Sequence, residues 1–375
     1  MFSKRLPALL KWAGGKEQEL KYILPLLPPF QRYYEPFVGG GAVFFSVEAP
    51  AKFINDRSAE LVQFYTMVAQ QDPTFLHALD VLVQGWQRVS DLAEMHADEL
   101  VAGYSAFSAD LCERQELERQ LLAFLRTHQS AFCAMFAPLC EKNIENFLNE
   151  LKRNLFSKTQ RMKRLEQQKG SLPYRDILSN LESALKSAFY MHLRHLYNHL
   201  DVCHIVPGVA SAIFFFVREN AYAAMFRYNL RGEFNVPYGG ITYNRKDLTR
   251  KIALLRAPAL QEHLRGCVIE NLDFEEFLCK HPPQSRDFLF LDPPYDSDFS
   301  TYMRNEFSLR DQERLAEYLL KRCPAQFLLV IKNTPFIQTL YAQKGLNIQS
   351  FEKRYLVSFQ DRNKREAEHL IITNY

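Results

Sequence analysis

The chain has 375 residues, 47% apolar and 13% aromatic, with 46 Lys and Arg against 43 Asp and Glu. That length gives room for two domains and a sizeable core, and such a composition excludes a disordered chain. A net charge of +3 does not by itself demand a nucleic-acid partner, so local clusters have to decide that question.

The N-terminal stretch MFSKRLPALLKWAGGK holds too few apolar residues for a secretory segment, and no run approaches the length of a membrane span. Seven cysteines lie between Cys112 and Cys323 with no C-x-x-C pair. They read as buried thiols of a protein in a reducing cytoplasm.

Residues 1 to about 66 predict a helix in KEQELKYILPLL, a strand and glycine turn continuing as a helix in RYYEPFVGGGAVFFSV, and a second strand and helix in KFINDRSAELVQFYTMV. This is a βαβ pattern, which argues for a parallel sheet flanked by helices. In the glycine turn, Phe37 runs into Gly39, Gly40 and Gly41, where missing Cβ atoms permit close approach of backbone to a ligand. A purely structural tight turn is the competing reading. Neither G-x-G-x-x-G nor a P-loop lysine is present, which disfavours pyrophosphate ligands. The second strand ends at Asp56, placed to accept hydrogen bonds from a ribose diol, or alternatively to cap the helix that follows.

From about 68 to 205 the spacing is helical throughout, as in NIENFLNELKRNLFSKTQRMKRLEQQKG, and SAIFFFV at 211–217 suits a core element. The Lys and Arg residues between Lys152 and Lys169 read either as an extra arm for a DNA backbone or as the solvated face of a helical hairpin.

From about 250 strands and helices alternate again, with CVIENLDF, DFLFLDPPY, the helix SLRDQERLAEYLLKR, AQFLLVIKNTP and the closing EAEHLIITNY. The two ends therefore predict one sheet, interrupted by an inserted domain.

Asp292-Pro293-Pro294-Tyr295 follows the apolar strand FLFL. Two prolines fix φ and carry no N–H, so neighbouring carbonyls are held in place outside any ladder. A carboxylate, a fixed carbonyl and an aromatic plate then meet at the carboxyl end of a parallel strand, where ligands bind in such folds. That set suits an exocyclic amine on a heteroaromatic ring. Asp292 and the Pro293 carbonyl accept the amino hydrogens, Tyr295 stacks on the ring, and a sulfonium methyl group needs only to be held in line. A plain strand-terminating turn is the alternative. This chemistry calls for no metal.

Taken together these motifs resemble the Dam-type, alpha-class D12 family of S-adenosylmethionine-dependent DNA adenine-N6 methyltransferases. LKWAGGK at 10–16, EPFVGGG, NDRSAELVQFY, FRYNLRGEFNVPYG at 226–239, the D-P-P-Y turn, KNTPF and REAEHLIITNY are each similar to family motifs, in the family's order, across about two-thirds of the chain. The resemblance implies an α/β fold, a Rossmann-like class I methyltransferase sheet with an inserted, mostly helical target-recognition domain. Residues 1–67 and 246–375 would form the catalytic domain. Residues 68–245 would comprise a helical insertion to about 189 and a recognition domain from about 190.

Carried over by position, the resemblance implies that Trp12, Lys16, Phe37, Gly39, Gly41, Asp56 and Asp292 bind S-adenosylmethionine. Asp292, Pro293, Pro294 and Tyr295 would carry the chemistry. Lys11 and Arg227 would read guanines of GATC, Tyr222 would enter the stack vacated by the target adenine, Met225 and Pro237 would touch bases, and Arg194 and Asn229 would contact the DNA. The implied partner is double-stranded DNA, met by a monomer, with a cognate restriction endonuclease as a further association and no membrane.

Two departures bear on the target. Ala223 stands where the family has asparagine, and the family has basic residues after NVPFG where this chain reads NVPYGGITYNRKD, so a related GAT-containing site stays open beside GATC. In addition, about a hundred residues between Thr66 and Tyr190 have no counterpart in compact members. Methyltransferases of RNA adenine, cytosine N4 or a protein glutamine amide, and a non-catalytic DNA-binding relative, are the alternative functions.

Overall fold

The computed structural model describes residues 6–12, 14–136, 139, 144–295, 307–342, 345–354 and 366–375. By contact the chain divides into two compact units, one of Met1–Gln70, Phe226–Gly232 and Leu255–Tyr375, the other of Gln71–Met225 and Glu233–Leu254.

The first unit is built on a seven-stranded sheet of β1 (Arg32–Glu35), β2 (Ala51–Asn55), β3 (Val268–Glu270), β4 (Phe288–Leu291), β5 (Gln326–Lys332), β6 (Asn347–Arg354) and β7 (Glu366–Thr373). Their order is β3-β2-β1-β4-β5-β7-β6, with β7 alone running antiparallel to its neighbours. The two ends of the chain do form one mostly parallel sheet, as the βαβ patterns predict. All four residues of β4 are buried, as expected of a central parallel strand covered on both faces. Tyr34 of β1 stacks on Phe53 of β2 with ring centroids 4.5 Å apart, within a core that continues through Leu289, Leu291, Leu329 and Ile331. Strand order reverses between β1 and β4, which makes the carboxyl ends of these two strands the crevice where such sheets bind ligands.

Two local expectations are corrected, and one strand was not anticipated. KEQELKYILPLL forms one helical turn, Leu20–Ile23, and a 3-10 turn, Leu24–Leu26, because Pro25, Pro28 and Pro29 prevent extension. The glycine turn leads into a 3-10 turn at Phe44–Ser46 and no full helix, in a stretch of β-branched and aromatic residues that ends at Pro50. Strand β6 has no periodic apolar signal; NIQSFEKR is an edge strand recruited through its pairing with β7. Of the six described cysteines, Cys203 is buried, Cys279 is exposed and the rest are half-buried.

The second unit is helical. Helix Pro207–Asn220 is buried around its whole circumference from Gly208 to Asn220, and mostly apolar up to Val217. It packs with helices Pro73–Met95 and Tyr174–Asn198, and Ile144–Lys169 packs along Tyr174–Asn198. The buried face of Ile144–Lys169 carries Phe147, Leu151, Leu155 and Met162; Lys152, Arg161 and Arg164 are exposed, and Lys163 pairs with Asp110. No helix among the described residues is long and apolar enough to cross a membrane.

Candidate active site

Where β4 leaves the sheet, the chain turns through Asp292, Pro293, Pro294 and Tyr295. Lys16 reaches this turn from the far N-terminal end of the sequence. Its ammonium forms an ion pair with Asp292 Oδ2 and donates to the Tyr295 hydroxyl at 3.0 Å and the Gly14 carbonyl at 2.9 Å. Lys16 is only 3% exposed, and a buried ammonium is stable only with such acceptors around it. The Tyr295 hydroxyl also lies 3.4 Å from Asp292 Oδ1, and its ring meets that of buried His369 edge-on at 5.1 Å.

The proline carbonyls differ. Pro294 accepts a 2.8 Å bond from the side-chain amide of Gln312, a fully buried residue on helix Leu309–Lys321. No donor among the described residues takes the Pro293 carbonyl. Among the described residues the turn therefore carries one carbonyl with a donor and one without, next to a carboxylate.

Glu35 ends β1 beside this cluster. Fully buried, it accepts a 2.6 Å hydrogen bond from the Tyr33 hydroxyl. Burial holds its carboxyl well above the usual range; the Tyr33 bond opposes that rise and the Asp292 charge adds to it.

Gly39 and Gly41 have φ of +48° and +72°, a region that L side chains rarely adopt. A Cβ on Gly39 would lie 2.8 Å from Cδ1 of Trp12, and one on Gly41 2.6 Å from the Phe45 ring. The close approach that these glycines permit is thus to aromatic rings of the chain itself, with the Trp12 indole laid against the turn. Trp12 in turn meets Phe226 edge-on at 4.4 Å. Phe37, half-buried, packs against Phe274 and Phe307 at 5.7 and 5.5 Å.

Asp56, just beyond β2, holds the turn from the other side. Its Oδ2 accepts from the Gly39 N–H and its Oδ1 from the Ser58 N–H, both at 2.9 Å. Burial raises its pKa and these N–H groups oppose the rise. Each oxygen keeps a lone pair beyond the one committed, so the carboxylate both builds the turn and retains acceptors for a diol. A carboxylate with acceptors to spare beside an indole and a glycine turn, together with a carboxylate–ammonium pair, is a donor and acceptor set that fits S-adenosylmethionine. The structure thus brings the expected residues together as two linked clusters, Lys16–Asp292–Tyr295 and Trp12–Gly39–Asp56. Sequence reasoning passed over Glu35, although it lies in the quoted EPFVGGG, and Gln312, which only tertiary packing places at the turn.

The DNA candidates divide between the units. In the sheet unit Lys11 and Arg227 are exposed, and the Asn229 side chain accepts from the Arg231 N–H at 3.0 Å within a tight turn. In the helical unit Tyr222 is half exposed and its N–H donates to the carbonyl of exposed Pro237 at 2.9 Å. Arg194 donates to the Val236 carbonyl at 3.0 Å, and the carbonyl of half-buried Met225 accepts from Arg218 at 2.8 Å.

The sequence matches the family of D12 class N6 adenine-specific DNA methyltransferases over residues 12–100 and 134–357. The match leaves residues 101–133 between its two stretches. The Type II methyltransferase M.CviBI of Paramecium bursaria Chlorella virus NC1A is 32% identical over 210 residues, 54% of this chain and 76% of the relative. M.MjaIII, a Type II methyltransferase of Methanocaldococcus jannaschii, is 26% identical over 98% of both chains. The DNA N-6-adenine-methyltransferase of Escherichia phage P1 is 24% identical over 94% of this chain and 33% of the relative. With the glycine turn, the D-P-P-Y turn and residues 226–239 all inside the matched stretches, the chain belongs to the D12 class of N6 adenine-specific DNA methyltransferases, enzymes that act on DNA and use S-adenosylmethionine.

Proposed function

We propose that this enzyme methylates N6 of an adenine flipped out of duplex DNA, at GATC or a related GAT-containing site, with S-adenosylmethionine as donor. The observation that carries this reading is the pair of acceptors at the end of β4, the Asp292 carboxylate and the Pro293 carbonyl, which no donor among the described residues takes. An exocyclic adenine amine has two hydrogens and a lone pair delocalised into the ring. Two fixed acceptors draw the amine toward tetrahedral geometry, which frees the lone pair, and Tyr295 stacks on the base. Lys16 pairs with the Asp292 carboxylate, and Gln312 keeps the turn rigid through Pro294. When bound, S-adenosylmethionine supplies an electrophilic sulfonium methyl group. Trp12, Lys16, Phe37, Gly39, Gly41 and Asp56 hold it, and alignment supplies most of the rate.

In the DNA, Lys11 and Arg227 read guanines, Tyr222 fills the gap left by the flipped base, Met225 and Pro237 touch neighbouring bases, and Arg194 and Asn229 position the backbone. The enzyme acts as a monomer. Relatives named as Type II methyltransferases support a companion restriction endonuclease.

Expression in a methylation-free host, followed by sequencing of modified bases, tests the reading. One motif bearing N6-methyladenine is expected, and none with Asp292→Ala, which still binds DNA. Methyl groups found only on cytosine, RNA or protein, or a wild type that binds DNA and transfers nothing, overturn it.

A further inference from the structure

The last three residues of helix Pro207–Asn220 are polar and buried, with Arg218, Glu219 and Asn220 each 1% exposed. Burying one charge is costly and burying two in a row more so, unless each is paired. Each of the three is committed to a different part of the chain that follows. Arg218 donates from Nη1 to the Met225 carbonyl at 2.8 Å, and its guanidinium lies over the Phe234 ring, 5.6 Å from the centroid. Glu219 takes Lys246 at 2.8 Å on one oxygen and Lys251 at 2.6 Å on the other. Its charge is thereby met, and both lysines hold its carboxyl below the usual range against the opposing effect of burial. The Asn220 backbone carbonyl accepts from the Gly239 N–H at 3.0 Å, while its side-chain amide donates back to the Phe216 carbonyl at 2.9 Å. Ala221 pairs with Tyr238 and Tyr222 with Pro237.

The segment from 221 to 239 therefore leaves this helix end and returns to it. Asn220 and the backbone pairs close its base, and Glu219 anchors the chain beyond it. Arg218 grips it from inside at Met225, two residues before Arg227. A pin at a backbone carbonyl does not depend on the side chain at 225; it sets where the chain goes next.

Resting on the proposed reading of this segment as the base-reading element, we propose that Arg218 is a specificity-positioning residue: it touches no DNA and holds Met225 and the following Arg227 at the register in which they discriminate the target. Arginine suits the task because its planar fork donates to the carbonyl while its face packs on Phe234, which a lysine ammonium cannot do at once. Met225 and Arg227 still reach DNA without the pin, but no longer at one fixed place.

The test compares wild type, Arg218→Met and Arg218→Lys on genomic DNA from a methylation-free host, with modified adenines mapped and KM for S-adenosylmethionine measured alongside. Arg218→Met should raise the off-motif share of methylation about tenfold, the scale of one base-reading contact, and leave KM for S-adenosylmethionine unmoved. Arg218→Lys, which keeps the charge and one donor, should fall between. Should Arg218→Met not fold, Arg218→Lys reads the same ratio. A wild-type off-motif share in the variant, with or without a lower Tm, makes Arg218 merely structural and overturns the inference while the methyltransferase reading stands. A wild type that modifies no adenine overturns both.

Discussion

Gln312 donates to the Pro294 carbonyl at 2.8 Å from inside the core, so a helix that carries no reacting group sets the position of the turn that does. Its other amide atom, Oε1, has no partner among the described residues. Replacing Gln312 with Met removes the bond and the orphaned Oε1 but leaves the Pro294 carbonyl without its donor, so a stability loss of about 1–3 kcal/mol is expected. The turn then loses its tether, and single-turnover methyl transfer should slow by about tenfold to a hundredfold. An unchanged rate would show that the prolines alone fix the turn.

Lys16 and Asp292 form a largely buried pair, with side chains 4% and 19% exposed. Lys16→Met leaves Asp292 without its counter-charge and should cost about 3–5 kcal/mol by chemical denaturation. Adding Asp292→Asn to that variant should recover much of the stability and none of the activity. Equal, additive losses would mean that the two residues act independently.

Gly39→Ala forces a side chain into a left-handed position and against Trp12. The conformational part costs about 1–2 kcal/mol, and the contact adds to it. Affinity for S-adenosylmethionine, read by calorimetry, should fall. Trp12→Ala removes the collision, so the double variant should be less impaired than the sum of the single changes. Full additivity would place the indole away from the turn in solution.

Glu35 supplies a pH signature. Its carboxyl is held protonated above the range in which an unfolded chain's glutamate ionises, so its contribution to stability is fully present below about pH 4.5 and is lost as pH rises toward the folded pKa, at about 1.4 kcal/mol per pH unit over that interval. Glu35→Gln removes the proton exchange and can still accept from Tyr33. The variant should therefore gain on wild type as pH rises from 4.5, with little difference below. Parallel Tm profiles would place an ionised Glu35 in the fold.

Much of this was legible beforehand for identifiable reasons. Phe288–Leu291 announces a buried strand by its unbroken apolar run, and the prolines after it announce the exit. The return of a strand and helix pattern after residue 250 implied one interrupted sheet, because a parallel sheet needs the strands that both ends supply. Strand β6 was hidden because its side chains carry no buried face; backbone pairing with β7 alone makes it a strand. The short turn after Gly41 looked helical because the apolar spacing of AVFFSV suits either state. Gln312 and Arg218 could not be found at all from local sequence. A glutamine in an amphipathic helix and an arginine after FFFV look like surface residues until the partner carbonyl, far off or across a loop, is known.

The neighbouring strands β2 and β3 also govern how the molecule is made. Asn55 pairs in register with Glu270, so more than two hundred residues have to be gathered before that edge of the sheet closes. Such a pairing has very high contact order, and its closure entropy is offset only once the intervening helices have collapsed into a body of their own. The helical unit should acquire protection from amide exchange first during refolding, and β3 should dock late. The same arrangement lets that body lengthen or shorten over evolutionary time without disturbing the strands on either side of it.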